Sequence, residues 1–245
     1  CEGYTGTLSD VYSSASMLIS NSFYPNTDGN NLHMYNGDVY IVSGSSGNRK
    51  IAKIASDGTT EPNWLNHETA VGFGGEVYGM SGDDVGNLYL TLDLTHIYKI
   101  NIETKVATLL VQEVKNIQAD EFIQGIAASN DGKYIFYQYK DLYQYDTTTQ
   151  TTSLISTSLM DTYSTDKRYA IQYASGYLYA GTKSCDSCET TGTIQKFGKI
   201  GDNFVDTASV TETALTTTYN VGSTRFNFDV NDDGEIYIIG YDGTM

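Results

Sequence analysis

The stretch Phe122-Ile123-Gln124-Gly125-Ile126-Ala127-Ala128-Ser129-Asn130-Asp131-Gly132-Lys133-Tyr134-Ile135-Phe136-Tyr137-Gln138-Tyr139-Lys140-Asp141-Leu142-Tyr143-Gln144-Tyr145 decides how the chain reads. An apolar segment around Ile123 and Ile126 leads into a tight Asn130-Asp131-Gly132 turn, an aromatic strand over 134–139 and a third strand over 142–145. The polar run Asp146-Thr147-Thr148-Thr149 then turns the chain toward Ser153 and Leu154. β-Branched and aromatic runs bounded by Gly, Asn and Asp suit short antiparallel strands, because such side chains pack on a pleated surface and such turn residues tolerate positive φ.

The unit recurs. Gly37, Gly86, Gly132, Gly176 and Gly234 each stand one residue ahead of an apolar triplet: Val39-Tyr40-Ile41, Leu88-Tyr89-Leu90, Tyr134-Ile135-Phe136, Leu178-Tyr179-Ala180 and Ile236-Tyr237-Ile238. Successive glycines are 49, 46, 44 and 58 residues apart, close to the length of a four-stranded propeller blade. A second mark follows in four copies: Ile51-Ala52-Lys53-Ile54, Ile97-Tyr98-Lys99-Ile100, Leu142-Tyr143-Gln144-Tyr145 and Ile194-Gln195-Lys196-Phe197. Its alternation has the strand period of two. No window of 11 or more residues carries a helical apolar stripe, so the chain reads as all-β.

Four strands per copy, repeated about an axis, leave only short protected edges. Over roughly residues 30–245 the chain resembles the broad class of secreted bacterial β-propellers with a glycine, apolar, tyrosine, apolar second strand. The resemblance implies a single domain of about five four-stranded blades, near 31–73, 74–116, 117–165, 166–220 and 221–245. Residues 1–30 serve as lead-in, and Thr5 to Tyr24, with Leu8, Val11, Met17, Leu18 and Ile19, is the expected closing segment for an incomplete last blade. It also implies a loop face, made by the loops between second and third strands and those between blades. There Trp64, His67, Tyr139, Lys140, Lys167 and Arg168 are the expected binding residues, since loops on a rigid scaffold carry binding groups disproportionately.

Thirty acidic against 14 basic residues give a net charge of −16. Phosphate neutralisation needs clustered Lys and Arg, so nucleic acid is excluded as a partner and anionic membrane surfaces are disfavoured. No apolar run of 18 residues is present to span a bilayer as a helix. Cys1 resembles the residue left when a bacterial lipoprotein signal is cut, which would make its thiol a lipid anchor and place the protein at the cell surface, outside the cell or in the periplasm. Cys185 and Cys188 sit in a polar hairpin loop; zinc would need a second pair of ligands and redox chemistry a helix N-terminus, so a local disulfide is the expected role.

The most motif-like segment is Asp229 to Tyr237. Asp229, Asn231 and Asp233 occupy the first, third and fifth positions of a calcium loop, with Gly234 at the sharp turn and Glu235 completing the candidate ligands. The twelfth position is Gly240 instead of an acid, and Gly234 is also the register glycine of the fifth copy, so turn formation competes with metal binding. Calcium is the one cofactor the sequence suggests. No glycine-flanked nucleophilic serine, His-Glu-x-x-His or phosphate-cradling loop is present. Tyrosine is over-represented, at 21 against 8 phenylalanines, with Tyr40, Tyr89, Tyr179 and Tyr237 read as packing residues. Three functions fit: a non-catalytic extracellular binding or assembly module for a protein or glycan, first; a glycan-active hydrolase or lyase with acids at the channel mouth; or a subunit of a surface filament or complex.

Overall fold

The computed structural model describes residues 32–43, 50–72, 77–93, 95–113, 123–139, 141–156, 170–183, 191–200, 203–206, 215–218, 227–231 and 233–239. Three four-stranded antiparallel sheets come first, each a meander in chain order. The first holds β1 (Leu32–Tyr35), β2 (Asp38–Ser43), β3 (Lys50–Ile54) and β4 (Thr60–Leu65); the second β5 (Val77–Gly82), β6 (Asn87–Leu92), β7 (His96–Asn101) and β8 (Ala107–Gln112). The third holds β9 (Ile123–Ala128), β10 (Tyr134–Tyr139), β11 (Asp141–Asp146) and β12 (Thr151–Ser156). The fourth runs through β13 (Ala170–Ala174), β14 (Tyr177–Lys183), the long β15 (Thr191–Ile200) and β16 (Asn203–Asp206), and β17 (Leu215–Thr218) pairs with the first half of β15. A hairpin of β18 (Asn227–Val230) and β19 (Ile236–Ile239) begins the fifth. One short helix, α1 (His67–Val71), joins the first two sheets and ends at Gly72, whose φ of 66° closes the turn onto the Glu68 carbonyl.

The five register glycines all adopt positive φ: 82° at Gly37, 95° at Gly86, 67° at Gly132, 81° at Gly176 and 80° at Gly234. Each closes the hairpin between the first and second strands of its sheet. In the first and fourth sheets the turn is two residues, Asn36-Gly37 and Ser175-Gly176, with both residues at positive φ, the geometry whose twist matches that of the flanking strands.

Buried apolar side chains gather between consecutive sheets, so the core is a series of seams. Tyr40, Val42, Ile51, Trp64 and Leu65 of the first sheet meet Met80, Leu88, Leu90 and Ile100 of the second. Tyr89 and Ile97 of the second meet Ile126, Ile135 and Tyr137 of the third. Tyr134, Phe136 and Leu142 then meet Ile171, Leu178 and Phe197 of the fourth, and Tyr179 and Ile194 meet Phe228 and Val230 of the fifth. The first strands lie side by side, β1 by β5, β5 by β9, β9 by β13 and β13 by β18, as strands around a common axis do. This is the propeller arrangement of the repeat, and the alternation of each second strand supplies both seams at once.

The third sheet carries a register difference that the glycine count hides. In the second sheet Asp83 N–H donates to the Asn87 carbonyl, four residues on, whereas in the third Ser129 N–H donates to Tyr134, five residues on. The extra turn residue flips the parity, because one residue of slip exchanges the two faces of a strand. Thus Tyr40, Tyr89 and Tyr179 each face the next sheet, while Ile135, at the same distance from its glycine, faces the previous one. Phe136 takes the tyrosine's place.

Candidate functional site

The glycine turns lie together at one end of the sheets, and that end is where the chemistry of the described residues collects. At the second sheet's turn Asp83 is buried and is held from several sides. Its Oδ1 accepts the backbone N–H groups of Val85 (3.1 Å) and Asn87 (2.8 Å), and its Oδ2 accepts the Asn87 amide (2.8 Å) and the Tyr89 hydroxyl (2.7 Å). A buried carboxylate is tolerated only when its lone pairs are filled in this way. Burial, followed by the bond to Asp83, pushes the Tyr89 phenol far above its ordinary range, so it acts as a donor. His33 of β1 packs its ring against Gly82 and sits 3.2 Å from the Asp83 carbonyl; burial lowers its pKa.

The third sheet's turn is fastened to this one. Asp84 N–H donates to the Asn130 carbonyl, and the Asn130 amide returns a bond to Asp84 Oδ2, both at 2.8 Å. Asp131 Oδ1 accepts the Ser129 hydroxyl at 2.6 Å and the Lys133 N–H at 3.0 Å. Gly132 faces Asp83 and the Tyr89 hydroxyl so closely that a Cβ would collide with the carboxylate.

On the far side of that turn the surface opens into a cleft of about 340 Å³, lined by Asn130 and Asp131 of the third sheet and by Tyr173, Ser175 and Gly176 of the fourth. The Tyr173 ring stacks on Phe136, with centroids 5.6 Å apart and planes at 14°. Burial first, then the charge of Asp131 and the neighbouring Tyr134, raises the Tyr173 pKa, so at neutral pH the phenol is neutral and can donate. The lining therefore offers an aromatic side chain, an amide, a hydroxyl and one carboxylate. That set suits hydrogen bonding to a polar ligand. Glycoside hydrolysis in its common form requires two carboxylates flanking one bond, and Asp131 is the single acid among the described lining residues.

The residues expected on the opposite, loop face are placed differently. Trp64, next to last in β4, is buried in the first seam, edge-on to Tyr40 at 4.9 Å, with Lys105 above its ring at 4.9 Å and donating to its carbonyl at 2.8 Å. His67 is buried at the start of α1. The connection between the first two blades, expected to be a loop, holds the end of β4 and helix α1, which is why both side chains turn inward. Tyr139 ends β10 and packs partly buried against the second seam. Lys140, Lys167, Arg168, Cys1, Cys185, Cys188 and the closing segment 5–24 lie outside the described residues.

In the fifth copy Asp229 is in β18, paired opposite Tyr237, and its Oδ1 accepts the Val230 N–H. Asn231 Oδ1 accepts the N–H groups of Asp233 (3.1 Å) and Glu235 (2.8 Å), and the Asn231 amide donates to Glu235 at 2.8 Å. The two backbone bonds reproduce those of Asp83 in the second sheet, while the side-chain bond to the residue four on runs in the opposite direction, so Asn231 holds its turn as Asp83 does. Among the described residues no group of three or more His, Cys, Asp or Glu side chains is arranged to hold a metal ion. The cleft itself was missed in the sequence reading; its only signal was the phenylalanine that replaces the repeated tyrosine.

No protein-family model matches the chain, and no curated protein sequence matches it. Solved structures do. A Bacteroides thetaiotaomicron protein of unknown function superposes with a TM-score of 0.58 at 14% identity, over 91% of this chain and 54% of its own. Kuenenia stuttgartiensis hydrazine synthase gives 0.53 at 14% identity, over 96% and 58%. The Cps50 (Swd1) β-propeller domain of Myceliophteria thermophila gives 0.52 at 9% identity, over 91% and 65%. The chain thus spans between half and two thirds of the length of these structures, and at such identities what it shares with them is an all-β propeller fold.

Proposed function

We propose that the protein is a non-catalytic binding or assembly module, working outside the cell or held at its surface by a lipid on Cys1, that presents a propeller end to a protein or glycan. The contact point on the described surface is the cleft between the third and fourth sheets. What supports binding over turnover is the described lining, in which Asp131 is the single acid, beside Asn130, Ser175 and Tyr173. Its sheet-three wall is braced by the bonds of Asn130 and Asp131, and a pre-formed wall lowers the ordering cost of binding. The charge of −16 favours partners that are neutral or basic where they touch it.

The test is a glycan array and a pull-down with the intact chain, each repeated with Asp131→Ala and Tyr173→Ala. A ligand of this cleft loses about 10-fold in affinity with either variant, the effect of one lost hydrogen bond or aromatic contact. Release of reducing ends from a polysaccharide by the intact chain would replace this reading with the hydrolase one.

A further inference from the structure

The cleft between the third and fourth sheets has a definite polarity. Asn130 is tied to the second sheet twice: its carbonyl accepts the Asp84 N–H and its amide nitrogen donates to Asp84 Oδ2, each at 2.8 Å. The second bond fixes which end of the amide is nitrogen, so Asn130 Oδ1, on an exposed residue, is an acceptor. Asp131, also exposed, adds a negative charge, and the Ser129 hydroxyl and Lys133 N–H on its Oδ1 hold it at the turn. Among the described residues no lysine, arginine or histidine lines the cleft. An anion there would meet Asp131 without a compensating charge, whereas a cation with several donors matches the lining. The molecule already holds cations of its own in this way: the Lys105 ammonium lies 4.9 Å from the centre of the Trp64 ring while donating to a carbonyl at 2.8 Å, and the Lys133 ammonium lies 4.7 Å from the centre of the Tyr134 ring.

We propose that the cleft takes a basic side chain, arginine or lysine, from the surface of a partner protein. Asp131 is its counter-ion, Asn130 Oδ1 and the Ser175 hydroxyl are further acceptors, and Tyr173 packs beside the aliphatic stem. This rests on the reading of the cleft as a binding site and chooses the protein over the glycan. Charge makes the choice, because a chain at −16 attracts cations to its exposed acids and gives no such advantage to neutral sugar hydroxyls. Size agrees: about 340 Å³ is at the low end for a pocket that encloses a whole ligand and suits one side chain of a larger surface.

The test follows the NMR signals of Asn130 and Tyr173 in the intact chain during titration with a blocked pentapeptide carrying arginine between glycines. Its twin with citrulline, the uncharged isostere of arginine, and neutral oligosaccharides are titrated alongside. The arginine peptide is expected to bind about 5-fold tighter than its twin, the effect of one exposed charge pair. Asp131→Asn keeps an acceptor for the turn and should abolish that difference. Ser175→Asp adds an acid at an exposed turn position whose φ of 52° Asp tolerates, and should tighten the arginine peptide about 3-fold. Equal affinity of the two peptides, or no shift with either, overturns the proposal. So does an oligosaccharide that shifts the same signals and is weakened by Tyr173→Ala but not by Asp131→Asn; the cleft then remains a binding site and its ligand is a glycan. Should Asp131→Asn fail to fold, Ser175→Asp decides: tighter arginine binding supports the proposal and unchanged binding refutes it.

Discussion

Two seams built by the same repeat end in opposite ways at the turn face. Between the second and third sheets the Tyr89 hydroxyl reaches Asp83, Gly132 closes over both, and no space is left. Between the third and fourth sheets the equivalent position is Phe136, which has no hydroxyl to extend; it stacks on Tyr173, Gly176 has no heavy atom within 4 Å of where a Cβ would stand, and the cleft opens. A single oxygen atom, present in one copy and missing in the next, separates a sealed joint from a candidate binding site. Repeat proteins acquire function in this way, by departures from the unit rather than by the unit itself.

The largest effect should come from unlocking the sealed joint. Asp83→Ala strips the acceptor from four donors in a buried place and should cost about 3 kcal/mol or more, read as a lower urea midpoint at unchanged slope. Gly132→Ala compared with Gly176→Ala separates packing from backbone strain, since both glycines have positive φ but only the first is crowded. We expect about 2–4 kcal/mol at Gly132 and about 1 kcal/mol at Gly176; equal losses would mean the sealed joint is not sealed. Phe136→Tyr works from the other direction, restoring the missing hydroxyl: stability should change by less than about 1 kcal/mol, while affinity for a cleft ligand falls.

The smallest effect lies away from both joints. Lys53 pairs with Asp38 at 2.7 Å on the surface of the first sheet, and Lys53→Met should cost no more than about 0.5 kcal/mol. The Lys53 ammonium, with the Ser56 N–H, holds the Asp38 carboxyl below its ordinary pKa. A carboxyl depressed in the folded state contributes fully above the unfolded pKa and loses that contribution as pH falls through the folded one. The gap between wild type and variant should therefore close on acidification, measured by thermal melts from neutral pH downward.

Much of this architecture was legible in the chain because glycine and tyrosine mark it. All five marker glycines are hairpin turns with positive φ, and the apolar triplets behind them are β2, β6, β10, β14 and β19. What escaped was set by single residues. The extra turn residue in the third sheet is invisible to a count that starts at Gly132, since both parities of the strand that follows are apolar. Helix α1 is five residues long, too short for an apolar period, and Gly72 was its one signal. Trp64 and His67 were expected on the loop face because they fall where the first blade joins the second, yet both belong to the interior. The cleft depends on which of two aromatic residues stands at one position, a distinction that hydrophobic patterning does not register.

The slipped hairpin has a consequence for how such a chain can change over time. In most sheets a one-residue insertion would turn a greasy side toward water and be eliminated. Tyr134, Ile135, Phe136 and Tyr137 are all at most 3% exposed, so either parity presents a packing residue to each neighbour. Insertions in these turns are therefore survivable mutations, and each one re-deals which side chain meets the rim, giving the lineage a supply of new crevices without a new scaffold.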